Sequence, residues 1–295
     1  MAVVLSAAPP DTLPLWQRVW RQFRTASILG WKIESNWADP FIFAIYTLIR
    51  PLAGAFILVF MYLVVVQGST SNPYFAHMFV GNAFFMYVAR VMMGISYAII
   101  DDREHYEMLK YIYISPLQIL LFLFGRGMAN IITTSISVVI TLLIGIWPLG
   151  IQLTWGQVNW GLLFPSFLVG LLALIFMGFL LAGTCLLLAR HAWAISEGVA
   201  GVLYLVCGAV FPLDVLPLWI QAISFLFPLT YWLELMRRVM LGSSFSGSLA
   251  GFSDWGLFLL LAGVTSLWGV ASILLFRRFD GLARRRGLID QTSGY

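Results

Sequence analysis

Long apolar runs separated by short polar stretches recur along the whole chain. Residues 74–100 and 117–147 form two of these runs. Each exceeds the ~20 helical residues needed to cross a hydrocarbon core about 30 Å thick. Hydrophobic residues make up 61% of the sequence and charged residues only 10%, whereas a soluble domain carries about 25% charged residues. The chain is therefore expected to be all-α and polytopic, because a helix pairs its own backbone groups in lipid.

Six runs have this character: 41–66, 74–100, 117–147, 161–188, 193–211 and 255–276. They predict six spans within a transmembrane domain over 41–276, between a lead over 1–40 and a basic tail over 277–295. Residues 1–13 read as a disordered lead with no visible secretory signal. After Pro14, Trp16, Val19, Trp20 and Phe23 recur at helical spacing while Arg18, Arg21 and Arg24 take other faces. That pattern predicts an amphipathic helix lying in the membrane interface, with Arg toward anionic lipid; an ordinary soluble helix is the alternative. Placing both termini in the cytoplasm gives that side twelve basic residues and leaves the other only Arg237 and Arg238.

Six charged residues fall in the ten from Asp101 to Lys110, between the second and third runs. Their charge predicts a solvated connection. Glu104, Glu107 and Lys110, at three-residue spacing, would share one face of a short helix, with Met108, Tyr111 and Ile112 on another. Ser115-Pro116 closes the segment. A short amphipathic helix on a tight loop suits docking to a soluble partner; a connector kept out of lipid by its charges is the alternative.

Several chemistries find no support. The two lysines, Lys32 and Lys110, stand in no Gly-Lys-Ser/Thr motif, so nucleotide is not expected to bind here by a phosphate loop. His77, His105 and His191 are far apart, and no metal site is expected. Cys185 and Cys207 lie in apolar runs and read as small buried residues. The net charge of +4 is dispersed among spans and tails, which offers nucleic acid no continuous surface. Gly125 and Gly127 read as sites of close helix packing. Charges inside spans are costly and usually face a bundle interior. Arg50, Arg90, Arg126 and Glu197 form a candidate inner polar cluster, with Glu197 pairing Arg90 or Arg126 and surplus positive charge drawing an anionic headgroup. Snorkelling is the alternative.

Between the fifth and sixth runs, Pro212, Pro217 and Pro228 forbid one continuous helix and predict a re-entrant hairpin over 212–241. Here the sequence resembles the ABC-2-type transporter permeases, the membrane subunits of bacterial ABC exporters. The family pattern of Pro…Leu-Pro-x-Trp, an apolar run, Phe-Pro-Leu-Thr-Tyr and an acidic residue before Arg is met at Pro212, Pro217, Trp219, Pro228, Leu229, Thr230, Tyr231, Glu234 and Arg237. The family's Glu-Arg-x-x-Gly-Thr-x-Glu loop before Ser-Pro has counterparts in Glu104, Glu107, Ser115 and Pro116, without the Gly-Thr.

The resemblance implies a coupling helix over 101–116, with Asp101, Asp102, Arg103, Glu104, His105, Glu107 and Lys110 docking a separate ABC ATPase subunit. Pro212, Asp214, Pro217, Trp219, Pro228, Tyr231, Glu234 and Arg237 would form an outer gate. It further implies two ATPase copies carrying ATP and magnesium, a second permease copy or a sister permease, contact with membrane lipids, and a bacterial inner-membrane location. This chain would hold no cofactor and catalyse no covalent step. A hydrophobic or amphipathic compound is the expected cargo. A lipid-linked glycan or polysaccharide is the first alternative, and ion-coupled secondary transport the alternative from another class. The second-span aromatics Phe84, Phe85, Tyr87 and Tyr97 would line a path or serve packing.

Overall fold

A computed structural model of the chain describes residues 14–35, 39–65, 72–147, 149–151, 158–188 and 191–289. The lead over 1–13, most of the connections after the first and third runs, and the short return at 189–190 lie outside the described residues.

All regular structure among these residues is helical. In chain order the helices are α1 (Leu15–Ser35), α2 (Pro40–Val65), α3 (Pro73–Tyr87), α4 (Met93–Glu104), α5 (Leu109–Ile114) and α6 (Ile119–Ile146). Then come α7 (Trp160–Leu187), α8 (Ala192–Val206), α9 (Leu218–Ser224), α10 (Pro228–Leu241), α11 (Gly247–Ala250) and α12 (Asp254–Arg285). A π-turn, Val88–Met92, joins α3 to α4 within one helical rod, Pro73–Glu104. A 3₁₀ turn, Leu213–Val215, precedes α9.

Local chemistry sets the ends. Asn72 caps α3 by accepting from the Tyr74 N–H, and Pro73 supplies a fixed φ where no N–H is needed. Ser253 caps α12 in the same way through the Gly256 N–H. Pro228 opens α10, and Gly242, at φ +71°, closes it in the left-handed conformation.

Among the described residues, four helical rods are long and apolar enough to cross a membrane: Pro73–Glu104, Ile119–Ile146, Trp160–Leu187 and Asp254–Arg285. The pair α9 and α10, bent by 88°, adds a fifth if counted as one span. By length and composition the described residues thus supply four or five candidate spans where six are expected. In α2 only Leu52–Val64 is sufficiently apolar, because Arg50-Pro51 interrupts the run. The 15 residues of α8 rise only about 22 Å at ~1.5 Å each.

The bundle packs through small residues. α12 runs along α7, where Gly183 faces Phe276 and Gly269 faces Phe176. α1 runs along α6: a Cβ on Gly125 would sit 2.6 Å from that of Ala26, so only glycine lets the backbones approach this closely. Gly127 likewise accommodates Ile95. Trp16 and Trp20 remain exposed on α1.

Aromatic packing anchors α10. Trp232 is wholly buried against Gly170 and meets Phe84 edge-on at 5.8 Å. Phe85 packs edge-on against Tyr204 at 4.8 Å. Phe84, Phe85 and Tyr87 are therefore core residues, whereas Tyr97 faces a cavity.

Candidate functional site

Three polar regions stand out. The first is the connection from α4 to α6. Here the charged stretch departs from the sequence-based expectation. Asp101 to Glu104 extend α4, and Asp102 and Arg103 are 0% and 2% exposed. They are not solvated because the helix continues past the apolar run and turns these two side chains against α6 and α7. Arg103 donates to the Cys185 carbonyl at 3.0 Å, in the last turn of α7, where unpaired carbonyls favour a cation. Arg103 also pairs Glu104 at 3.1 Å.

His105 ends the helix, and Glu107 takes φ +48°, a left-handed backbone for which glycine is the ordinary residue. Glu104, Glu107 and Lys110 therefore do not share one helical face: the first closes α4, the second lies in the break, and the third opens α5. Leu109 and Ile112 turn inward, while Tyr111 and Ile114 are 64% and 81% exposed. The sequence spacing predicts Tyr111 and Ile112 on one face. Shifting the apolar stripe to begin at Leu109 separates them.

The α5 segment is tied at both sides. Tyr113 donates to Asp280 of α12 at 2.6 Å, and Arg284 pairs Asp280 at 3.1 Å while lying 4.6 Å from the Tyr113 ring centre. Burial and then the bond to Asp280 push the Tyr113 phenol well above its ordinary range, so it stays a donor near neutral pH. On the other side, Gln22 of α1 donates to the Pro116 carbonyl at 2.8 Å.

The second region is a cavity of about 400 Å³ between α1, the α3–α4 rod, α6 and α8. Arg90, placed by the π-turn, Arg126 and Glu197 all line it; the Arg50 side chain lies outside the described residues. The expected pairing is replaced by another. Arg90 faces Glu34 at 3.8 Å, Arg126 faces Asp102 at 3.9 Å, and Glu197 accepts from the Tyr97 hydroxyl at 2.8 Å. Nor does the lining carry surplus positive charge: Glu34, Asp101 and Glu197 stand against Arg90 and Arg126.

The third region is the broken stretch before α12. Pro212 and Pro217 precede the 3₁₀ turn and α9, and the α9–α10 bend is closed by Tyr231 donating to the Phe225 carbonyl at 2.9 Å. Asp214 accepts from the backbone N–H groups of Gly247 and Ser248 at the start of α11. Trp219 is exposed.

Arg237 and Arg238 do not face water; they are 1% and 8% exposed. Arg237 donates to the carbonyls of His77 at 2.9 Å and of Gly208 and Ala209 at 2.7 Å. The Gly208 and Ala209 carbonyls are released where α8 stops early, and pairing them allows irregular backbone inside the bundle. A Cβ on Gly81 would overlap the Arg237 guanidinium. Glu234 accepts from the Phe245 N–H at 2.9 Å and pairs Arg238, which bonds the Phe252 and Leu249 carbonyls at 2.8 and 2.6 Å. Sequence reasoning missed His77, Arg238, Tyr113 and Asp280 as partners, since nothing in their local spacing links residues so far apart in the chain.

These features define a helical multi-pass membrane protein with a polar loop braced between two helices and a buried, broken hairpin. The sequence matches the family model for ABC-2 type transporters over residues 21–241. The chain belongs to that family and is the membrane component of a transporter, and membership implies partnership with an ABC ATPase subunit. No curated protein matches it.

Proposed function

We propose that the chain is the permease of an ATP-driven exporter of hydrophobic or amphipathic compounds. Its six spans are α2, the α3–α4 rod, α6, α7, α8 and α12, with both termini in the cytoplasm, and α1 lies in the inner interface. Two such chains, or this chain and a sister, enclose the pathway, and two ATPase subunits bind ATP and magnesium beneath them. The protein sits in a bacterial inner membrane.

The observation that carries this reading is the bracing of α5. It offers Tyr111 and Ile114 to solvent while Tyr113 holds α12 and Pro116 holds α1. A push on α5 by a closing ATPase would thus reach two long helices at once, biasing one of two arrangements of the spans. The hairpin around α10 would close the outer end. An amphipathic cargo is favoured over a glycan because Phe84, Phe85 and Tyr87 are spent on packing rather than forming an aromatic stripe.

Reconstitution with the partner ATPase in liposomes tests the reading. Vanadate-sensitive ATP hydrolysis that rises with a transported amphiphile is expected, and Glu107→Arg, at the exposed break, should uncouple it. Transport that ignores ATP and follows a proton or sodium gradient would instead establish ion-coupled transport.

A further inference from the structure

The cavity beside Tyr97 is asymmetric in its charge. Each lining arginine already faces a carboxylate, Arg90 with Glu34 at 3.8 Å and Arg126 with Asp102 at 3.9 Å. Two further lining carboxylates, Asp101 and Glu197, have no basic group within 4 Å among the described residues, although Asp101 feels Arg126 and His105 at longer range. Tyr97 and Asp101 are one helical turn apart on α4, and the Tyr97 hydroxyl fixes the Glu197 carboxylate from across the cavity at 2.8 Å. The phenol ring and both acids therefore border one space.

A second observation marks that space as built for a ligand. Asn130 lines it and is only 8% exposed, yet its amide has no hydrogen-bond partner among the described residues. Gly94 is what lets the amide stand there, since a Cβ would overlap the Asn130 side-chain nitrogen. The amide faces the cavity, so a ligand group seated there can bond it directly. Met86 and Met93 complete the wall with flexible, polarisable surface.

We propose that this cavity binds the cationic nitrogen of an amphipathic organic cation, with Glu197 and Asp101 as counter-charges, the Tyr97 ring beside the cation and Asn130 taking a neighbouring polar group. The inference rests on the permease reading for its role in transport and narrows the cargo to cations. Carboxylate–cation contact in a partly dry site and a cation over an aromatic ring act in the same direction. An anionic amphiphile would meet a lining with three carboxylates against two arginines and be repelled.

Binding to the full chain in lipid nanodiscs tests this, with tetraphenylphosphonium and tetraphenylborate as size-matched hydrophobic ions of opposite charge. Partition into empty nanodiscs is subtracted. The phosphonium ion is expected to bind at least about tenfold more tightly than the borate. Glu197→Gln should weaken the phosphonium by about tenfold and leave the borate unchanged or improved, while Glu197→Asp stays within about threefold of the parent. Asp101→Asn should act in the same direction; both positions are exposed, so neither change threatens the fold. Equal binding of the two ions, a preference for the borate, or an unchanged phosphonium affinity in both neutral variants would overturn the proposal. The assay needs no ATPase. Failure of the chain to assemble with one would count against the permease reading and leave the binding result standing.

Discussion

Arg237 and Arg126 are both more than nine-tenths buried in the same bundle, yet their surroundings differ. Arg237 reaches three backbone carbonyls within 2.9 Å, and its neighbours Glu234 and Arg238 are likewise bonded to backbone groups. Arg126 has one carboxylate at 3.9 Å and a terminal nitrogen with no partner, and both oxygens of that Asp102 carboxylate also lack hydrogen bonds. Low dielectric raises the stakes of both arrangements. The hairpin network keeps only the second Glu234 oxygen and one His77 ring nitrogen without a partner, whereas the Arg126–Asp102 pair is held by one long contact and borders a cavity. The hairpin end is therefore the more tightly bonded of the two, and the proposed function requires the α5 end to be the one that rearranges.

The contrast can be broken by mutation. Arg237→Leu leaves the Gly208 and Ala209 carbonyls without their donor, whereas the His77 carbonyl, inside α3, keeps its helical bond. At about 1–3 kcal/mol for each orphaned group, the loss should be at least ~2 kcal/mol, read as collapse of the monodisperse peak after heating. Gly81→Ala attacks the same network sterically and should cost about 2 kcal/mol, as overpacking typically does, with a lower melting temperature in detergent. At the other end, Tyr113→Phe removes one bond to Asp280 and should cost only about 1 kcal/mol in stability while reducing substrate-stimulated ATP hydrolysis severalfold. Glu107→Gly relieves a left-handed glutamate and should stabilise the protein by about 1 kcal/mol, seen as a raised melting temperature. Asp102→Asn should change stability least, by under about 1 kcal/mol, because the desolvation and the repulsion from Asp101 that it relieves offset the 3.9 Å contact it removes, and Arg126 still feels the Asp101 charge. A loss as large as that of Arg237→Leu would erase the distinction between the two ends.

Much of the fold was legible in the apolar runs and the prolines. The runs at 74–100, 117–147, 161–188 and 255–276 correspond to long rods, and Pro212, Pro217 and Pro228 each stand at the start of a short element. Hydropathy overran α8, because buried irregular backbone is as apolar in composition as helix and only the Arg237 contacts reveal where the helix stops. Asp102 and Arg103 read as solvated because a charge run normally is; their burial depends on the α7 carbonyl and the α6 arginine that meet them. Arg90, Arg126 and Glu197 were grouped from their depth in the spans, and they do line one cavity, but depth carries no information on rotation about each helix. Glu34, on a helix outside that grouping, was therefore missed as the partner of Arg90. The break at Glu107 was hidden by a glutamate where the left-handed backbone ordinarily calls for glycine.

Site-specific cross-linking tests the central claim that the ATPase docks on the α5 end. Ile114 and Leu218 are 81% and 82% exposed and lie in the two contrasted regions. Single cysteines at these positions, in a background with Cys185 and Cys207 replaced by Ser or Ala, would be treated with a short thiol cross-linker in the assembled transporter. Ile114→Cys is predicted to capture the ATPase subunit, with a yield that changes when nucleotide is bound, and Leu218→Cys to capture none. Capture from Leu218→Cys, or none from Ile114→Cys in an assembled and ATP-hydrolysing complex, would contradict it.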